Sequence, residues 1–240
     1  MFLIVYPLVY MFVSTPISSL LFAIKQKDVL GAIGLSIFCA SVASMISLFL
    51  GTPLAYILAR KNFPAKGFIE ATIDIPMVIP HPVIGIAILA SLGKHTFIGK
   101  ILYGFGLKIM GSIFGIIMVM TFVGVPFYIN AARDAFLMVP ERLEKVSRTL
   151  GASQIRSFFL ITVPLSFRSI LSGVLMCAAR GISEFGAIVV IAYHPMVASV
   201  LIFEKFESYG LKSSKPIAVL LIGLCLLIFV GLRILTTKKR

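Results

Sequence analysis

Charged residues and cysteine are scarce in this chain, and each scarcity excludes a class of protein. Only 13% of its 240 residues are charged and 59% are hydrophobic, whereas soluble domains have about 25% charged and about 45–50% apolar residues. The net charge of +13 would suggest a nucleic-acid partner for a soluble protein. Because the chain is too apolar for a soluble domain, we expect no nucleic acid and predict a protein of the lipid bilayer.

The few residues that commonly carry chemistry are scattered. The three cysteines and three histidines are Cys39, Cys177, Cys225, His81, His95 and His194. They have neither disulfide nor metal-ligand spacing, so we predict inert buried thiols and no metal site. The sequence also has no catalytic constellation and no glycine-rich loop ending in Gly-Lys-Ser/Thr that would bind ATP. We predict that the chain is not an enzyme and that its energy comes from a partner.

Hydrophobic runs are abundant. A helix of roughly 20 apolar residues crosses a bilayer, and six runs are near that length or longer: 1–24, 29–59, 75–93, 109–132, 169–192 and 216–232. We predict an all-α polytopic membrane protein with six transmembrane helices in a single domain over residues 1–240. The first run lacks the basic segment of a signal peptide, so we expect it to be retained.

Basic residues predict the orientation, because Lys and Arg collect on the cytoplasmic side. If Lys238, Lys239 and Arg240 are cytoplasmic, six crossings place both termini inside, and most basic residues then lie in inside loops. This orientation makes residues 133–168 a large cytoplasmic loop.

That loop has the pattern of two helices joined by a glycine turn. Pro140 suits a first helical position, Glu144 lies near the positive end of the same helix, and Gly151 suits its end. A second short helix is predicted from Ser153 as its N-cap to Pro164. The side chains expected to be buried on it are Ile155, Phe158 and Phe159.

The glycine turn carries a family resemblance. Gly151, nine residues, and then Ile161-Thr162-Val163-Pro164 resemble the glycine, nine residues and Ile-x-Leu-Pro of the cytoplasmic loop in permease subunits of ABC importers. The preceding stretch resembles that family's Glu-Ala-Ala segment. Its glutamate, Glu144, stands one residue early, so that Lys145 occupies the glutamate slot, and Val146 and Ser147 replace the alanines.

The resemblance extends over most of the chain. Residues 51–60 resemble the end of the family's second span, and residues 76–85, with Pro80 and Pro82, resemble its proline-rich third-span entry. Residues 179–187 resemble the fifth span of oxyanion permeases, those for molybdate, tungstate and sulfate.

This resemblance implies a type I ABC importer permease fold and a set of partners. It implies a homodimer around a central pathway, an extracytoplasmic oxyanion-binding protein, and a cytoplasmic ATP-binding subunit that carries ATP and Mg and receives the 133–168 loop. The coupling residues it implies are Glu144, Lys145, Val146, Ser147, Arg148, Gly151, Ala152, Ile161 and Pro164. The implied cargo is molybdate or tungstate, with a sulfate or thiosulfate permease as the alternative.

Two features inside the spans are pathway candidates. Arg180 and Glu184 are four residues apart, hence on one face of a helix, and charges at bilayer depth are costly unless paired. The pair either fixes the packing of the fifth span or leaves Arg180 to attract a passing oxyanion. Pro80 and Pro82 mark either a kink that lines the pathway or the irregular start of the third span.

Two other functions compete with an importer permease. A secondary transporter driven by protons or sodium needs ionisable or broken-helix coupling sites in more than one span. Only the Arg180 and Glu184 pair and Asp74 are available for that purpose. A membrane-embedded enzyme would need paired catalytic groups, which the sequence lacks.

Overall fold

The computed structural model describes the backbone of residues 2–237, and within that range the side chains of all but residues 4, 228, 229 and 231–237. The described backbone forms α-helices and one π-helical turn. They are α1 (Phe2–Val13), α2 (Ile17–Lys25), α3 (Lys27–Arg60), α4 (Lys66–Val78), α5 (His81–Leu92), α6 (Phe97–Gly104), α7 (Ile113–Met138), α8 (Glu141–Thr149), α9 (Gln154–Ser157), the π turn (Phe158–Thr162), α10 (Val163–Ile182), α11 (Gly186–Ile191), α12 (Ala198–Tyr209) and α13 (Leu211–Thr237).

The described residues contain three helical stretches long and apolar enough to cross a membrane: α3, α7 and the stretch from Gln154 to Ile182. Two more spans result if the broken pairs α1 with α2 and α4 with α5 each count as one. The sixth predicted run lies in α13, where part of the side chains is not described. Lys238, Lys239 and Arg240, on which the predicted orientation depends, lie outside the described residues.

Three predicted runs are not continuous helices. The first bends by 82° between α1 and α2, where Pro16 is extended (φ −61°, ψ 140°). The third breaks at Ile79, which is extended (φ −70°, ψ 136°) because a residue that precedes proline is disfavoured in the helical region. The fifth breaks between α10 and α11, at residues 183–185. Apolar composition predicted these runs but does not show where the backbone turns.

The described chain divides into two compact units. The first unit comprises the described parts of residues 1–39, 81–119 and 182–240. In this unit α5 packs along α11, and α13 packs along both α12 and α2. Val29 of α3, Leu201 of α12 and Ile217 of α13 are buried together in a small core.

The second unit comprises residues 40–80 and 120–181. Its core contains Leu58 of α3, Tyr128 and Phe136 of α7, and Cys177 of α10. A Cβ atom at Gly124 would lie 2.6 Å from Sγ of Cys177, so α7 and α10 approach at a distance that only glycine permits. The prediction of buried thiols is confirmed for Cys39 and Cys177, whereas Cys225 is half-buried.

Candidate functional site

Long helices overlap both ends of the predicted loop, residues 133–168. Helix α7 continues to Met138 and the chain is helical again from Gln154, whereas the membrane boundaries that define the loop stay a prediction. At the first end, Nη1 of Arg133 lies 3.1 Å from Oε1 of Glu70, and its Nη2 lies 3.1 Å from Oδ1 of Asp134. Because these carboxylates compensate its charge, Arg133 is accommodated within the helix.

The second end differs because Pro164 does not end a helix. Residues 154–157 lead through the π turn directly into α10, in which Pro164 is the second residue. Proline in the first turn of a helix loses no hydrogen bond, and the wider π register immediately before it lets the chain remain helical. The predicted burial is wrong for Ile155 and Phe159, which are 72% and 61% exposed.

Helix α8 and its glycine turn form as predicted. Gly151 has φ +91°, and two backbone hydrogen bonds close the turn: Ala152 N to Ser147 O and Gly151 N to Arg148 O, both at 3.1 Å. This is the Schellman arrangement, in which a left-handed residue satisfies the last carbonyls of a helix. The Ser153 hydroxyl accepts from the backbone N–H of Arg156 as the N-cap of α9.

Glu144 connects α8 to the rest of the second unit. Its Oε1 accepts hydrogen bonds from Arg60 Nη2 at 2.7 Å, Arg60 Nε at 3.0 Å and Thr162 Oγ1 at 2.7 Å. Its Oε2 accepts from the Tyr56 hydroxyl at 2.7 Å. Arg60 Nη2 also donates to the carbonyl of Val139 at 2.9 Å. One carboxylate therefore joins the end of α3, the loop and the π turn.

The environment of Glu144 favours its charged form. Burial by itself would raise the pKa of this carboxyl, but the hydrogen bonds from Thr162, Arg60 and Tyr56 and the positive charge of Arg60 outweigh burial. The pKa of Glu144 is therefore lowered from its ordinary value of 4.5. The carboxylate and guanidinium side chains are only 11% and 8% exposed, so their pairing is largely protected from solvent.

A second contact ties the glycine turn to the following helix. The hydroxyls of Ser147 and Ser157 lie 2.6 Å apart, and Ser157 also donates to the carbonyl of Ser153 at 3.0 Å. Phe158 packs edge-on against Tyr56 and Phe136, with ring centroids 4.8 and 5.8 Å apart. These contacts fix the orientation of α8 relative to the end of α3.

The opposite face of α8 is exposed and apolar. Leu143, Val146 and Leu150 are 41%, 47% and 83% exposed. They line a shallow groove together with Arg142, Ser147 and Ile161. Beside this groove, Lys145 pairs with Glu141 at 3.1 Å on the helix surface, and Arg148 is exposed. The face combines apolar side chains with a basic margin, as protein interfaces do.

The predicted pathway residues lie elsewhere. Arg180 is in the last turn of α10, whereas Glu184 lies in the break after that helix. The predicted helical i, i+4 spacing is therefore wrong, because α10 ends at Ile182. The pairing of Arg180 with Glu184 stays a prediction.

Glu184 has partners within the first unit that the sequence did not indicate. Its Oε2 lies 3.0 Å from Nδ1 of His81, and its Oε1 accepts from the backbone N–H of Ala187 at 3.0 Å. Pro82 adjoins this pair, since a Cβ at Gly186 would lie 3.2 Å from its Cδ. Pro80 stands between α4 and α5, so helix is present on both sides of it and the third run has a break rather than an irregular start.

Sequence reasoning missed the partners of Glu144. Arg60 and Tyr56 stood out in the sequence only as members of the segment 51–60 that resembles the end of the family's second span. The available signal was Glu144 itself, because a carboxylate that becomes buried requires a cation. Sequence does not indicate which of the 22 Lys and Arg residues supplies it.

Comparison with known proteins identifies the family. The family model described as "binding-protein-dependent transport system inner membrane component" matches residues 51–240. The chain belongs to this family. Its predicted identification as an ABC importer permease is thereby confirmed.

Individual relatives of this permease agree with the family match. It is 46% identical over 244 residues to the molybdate/tungstate transport system permease protein of Pyrococcus abyssi, covering 100% of this chain and 93% of the relative. Identity to the protein of the same description from Thermococcus kodakarensis is 45%, and the match covers 94% of this chain and 86% of the relative. A probable sulfate transport system permease of Zygnema circumcarinatum is more distant. It is 32% identical, and the match covers 90% of this chain and 77% of that protein.

Solved structures show that the fold is shared. The bacterial alginate ABC transporter, crystallised with an alginate pentasaccharide-bound periplasmic protein, has a chain that matches with a TM-score of 0.74 at 13% identity, covering 99% of this chain and 90% of that one. This structural similarity confirms the predicted all-α permease fold.

Proposed function

We propose that this chain is the membrane permease subunit of an ATP-driven importer that carries molybdate or tungstate into the cell. The support is the 46% identity to a molybdate/tungstate permease over the whole chain, together with the geometry of α8. The permease crosses the membrane six times, with its C-terminus in the cytoplasm. The first and third crossings are the broken pairs α1 with α2 and α4 with α5.

The observation that carries the mechanism is the position of Glu144. It holds α8 against Arg60 at the end of the long helix α3, while Val146 and Leu150 on the opposite face are left exposed. Burying such a face against a partner stabilises the complex. This face is the docking surface for a cytoplasmic ATP-binding subunit, which carries ATP and Mg. A movement of that subunit is transmitted to α3 through the buried carboxylate of Glu144.

Selection of the oxyanion takes place outside this chain. A dianion held tightly needs several convergent donors, and a pathway must release what it admits. An extracytoplasmic binding protein therefore selects the oxyanion and docks on segments 94–108 and 193–215. Two copies of the permease form a homodimer around the pathway, as closed two-fold symmetry favours.

Reconstitution tests this function. The permease is coexpressed with its ATPase and binding protein and placed in proteoliposomes, and uptake of tungstate is measured with and without ATP. We expect uptake that requires ATP and is competed by molybdate more strongly than by sulfate. Stronger competition by sulfate would favour a sulfate permease, the second candidate, and uptake without the ATPase would contradict the proposal.

A further inference from the structure

A cavity of about 500 Å³ in the first unit is lined by lysine and serine side chains beside apolar ones. It lies where α2 meets the end of α12 and the start of α13. Two lysines, Lys205 and Lys212, line it together with the serines Ser18, Ser19 and Ser213. Lys205, Lys212 and Ser213 lie within segment 193–215, but the proposed transport function assigns none of them as a ligand. Ammonium groups beside hydroxyls are donors that suit an anion.

The charged groups at the cavity indicate that it suits an anion. Nζ of Lys205 lies 3.4 Å from Oδ2 of Asp28, and its side chain is only 22% exposed. Lys212 is exposed and has no ion pair among the described side chains. Asp28 compensates Lys205, so Lys212 supplies positive charge that a bound anion can compensate.

A neighbouring lysine adds a further positive charge. Lys215 adjoins the cavity, but its Nζ donates to the Ser14 hydroxyl at 2.7 Å and to the Ser14 carbonyl at 3.1 Å. It also lies 5.8 Å from the ring centroid of Tyr10. Ser14 and Tyr10 therefore hold Lys215 in place without removing its charge, while Lys212 is available to a ligand.

The rim of the cavity is apolar. Phe22 lines it and is 67% exposed, and Ile17 and Leu211 nearby are 74% and 65% exposed. In a protein of the bilayer such side chains contact acyl chains, while lysine side chains extend their ammonium groups towards the headgroup region. A ligand that satisfies both parts of this site has an anionic head and an apolar tail.

We propose that this cavity binds the phosphate headgroup of an anionic phospholipid. The phosphate lies between the ammonium groups of Lys205 and Lys212 and accepts hydrogen bonds from the serine hydroxyls. The acyl chains lie over Phe22 and Leu211. The lipid thereby connects α2 to the start of α13.

Native mass spectrometry of the full chain, purified in a neutral detergent without the binding protein, tests this site. Lipid retention is measured for phosphatidylglycerol and for phosphatidylcholine. Each lysine near an anionic surface contributes about a fivefold preference, and Asp28 compensates Lys205, so we expect at least about a fivefold lower apparent Kd for phosphatidylglycerol. The double variant Lys205→Gln with Lys212→Gln should lose this preference, and the corresponding pair of arginine variants should keep it.

Two controls keep the test specific. The variant Lys100→Gln with Lys108→Gln removes two exposed lysines of the same unit outside the cavity, and it should retain the full preference. Lys212→Gln alone leaves the Lys205 and Asp28 pair intact and should lower the preference about fivefold, which provides a measurement should the double variant not fold.

The source of the anion is distinguished in a separate arm with inorganic phosphate and tungstate. We expect that neither inorganic phosphate nor tungstate, at millimolar concentration, raises the melting temperature of the wild-type chain more than that of the double glutamine variant. The proposal is overturned if the double glutamine variant keeps its phosphatidylglycerol preference. It is equally overturned if free phosphate or tungstate stabilises the wild type alone while phosphatidylglycerol shows no preference, because the site would then serve a soluble oxyanion.

Discussion

Oε1 of Glu144 lies 2.7 Å from Nη2 of Arg60, a residue 84 positions earlier in the chain. The pair is almost fully buried and joins the short helix α8 to the end of a helix of 34 residues. Removing one partner of such a pair leaves the other charge uncompensated, which costs more than the pair itself contributes. This contact is the structural basis of the proposed coupling.

Replacing Glu144 with glutamine should therefore detach α8. We expect Glu144→Gln to lower the free energy of unfolding by about 3 kcal/mol and to abolish copurification with the ATPase. The measurements are thermal melts followed by circular dichroism and pull-down of the complex. Glu141→Gln is the matched control, since its exposed pair with Lys145 is worth only about 0.3–0.5 kcal/mol. Equal behaviour of the two variants would refute the role of Glu144.

The same carboxyl predicts a pH dependence. Because the folded-state pKa of Glu144 lies below its ordinary value of 4.5, its contribution is complete above that value and is lost as the pH falls through the folded pKa. The difference in melting temperature between wild type and Glu144→Gln should stay constant at neutral pH and disappear only below pH 4.5. A difference that vanishes well above that pH would show that the carboxyl is not stabilised by Arg60.

The glycine turn can be tested through its backbone angle. Gly151 has φ +91° and open space around it, so any effect of substitution comes from the backbone. A β-branched residue is strained there, and we expect Gly151→Val to reduce tungstate-stimulated ATP hydrolysis about five- to 30-fold, on the basis of about 1–2 kcal/mol of strain. Gly151→Asn is the control, because asparagine tolerates the left-handed region. Unchanged hydrolysis in Gly151→Val would contradict the coupling role.

The close approach of α7 and α10 predicts a steric effect. A methyl group at Gly124 would lie 2.6 Å from Sγ of Cys177, and overpacking typically costs about 1–3 kcal/mol. Gly124→Ala should lower the melting temperature, and combination with Cys177→Ala should restore part of it. Gly67→Ala has open space around it and should have no such effect, so an equal loss there would show that packing is not the cause.

The location of specificity can be measured on the permease alone. Titration calorimetry of the purified chain without its binding protein should detect no micromolar binding of molybdate or tungstate. A micromolar site that disappears in Arg180→Ala would make Arg180 a substrate ligand and overturn the assignment of selectivity to the external protein. Arg180→Lys would then show whether the guanidinium itself is required.

Much of this protein was predictable because its determinants are local. Apolar runs of about 20 residues indicated helices that belong in lipid, and the turn at Gly151 followed from the residues around it, since only a few residue types tolerate φ > 0. The family resemblance of residues 143–164 and 179–187 correctly indicated an importer permease. Local composition left a kink at Pro80 as one of two alternatives. It did not show that Pro16 and the segment after Ile182 interrupt two other runs, nor that the helix passes through Arg133 and Pro164.

The contacts that connect distant residues were decided by tertiary structure. Sequence placed Glu144 on the loop, but its pairing with Arg60, Tyr56 and Thr162 depends on how α3, α8 and the π turn pack. Glu184 likewise was expected on a helix with Arg180, whereas the structure places its carboxylate beside His81. A side chain's electrostatic partners depend on distances in space, and residues far apart in sequence reach 3 Å only when packing of the apolar helices brings them together. The sequence determined the helices and the family, and the fold alone determined which charges meet.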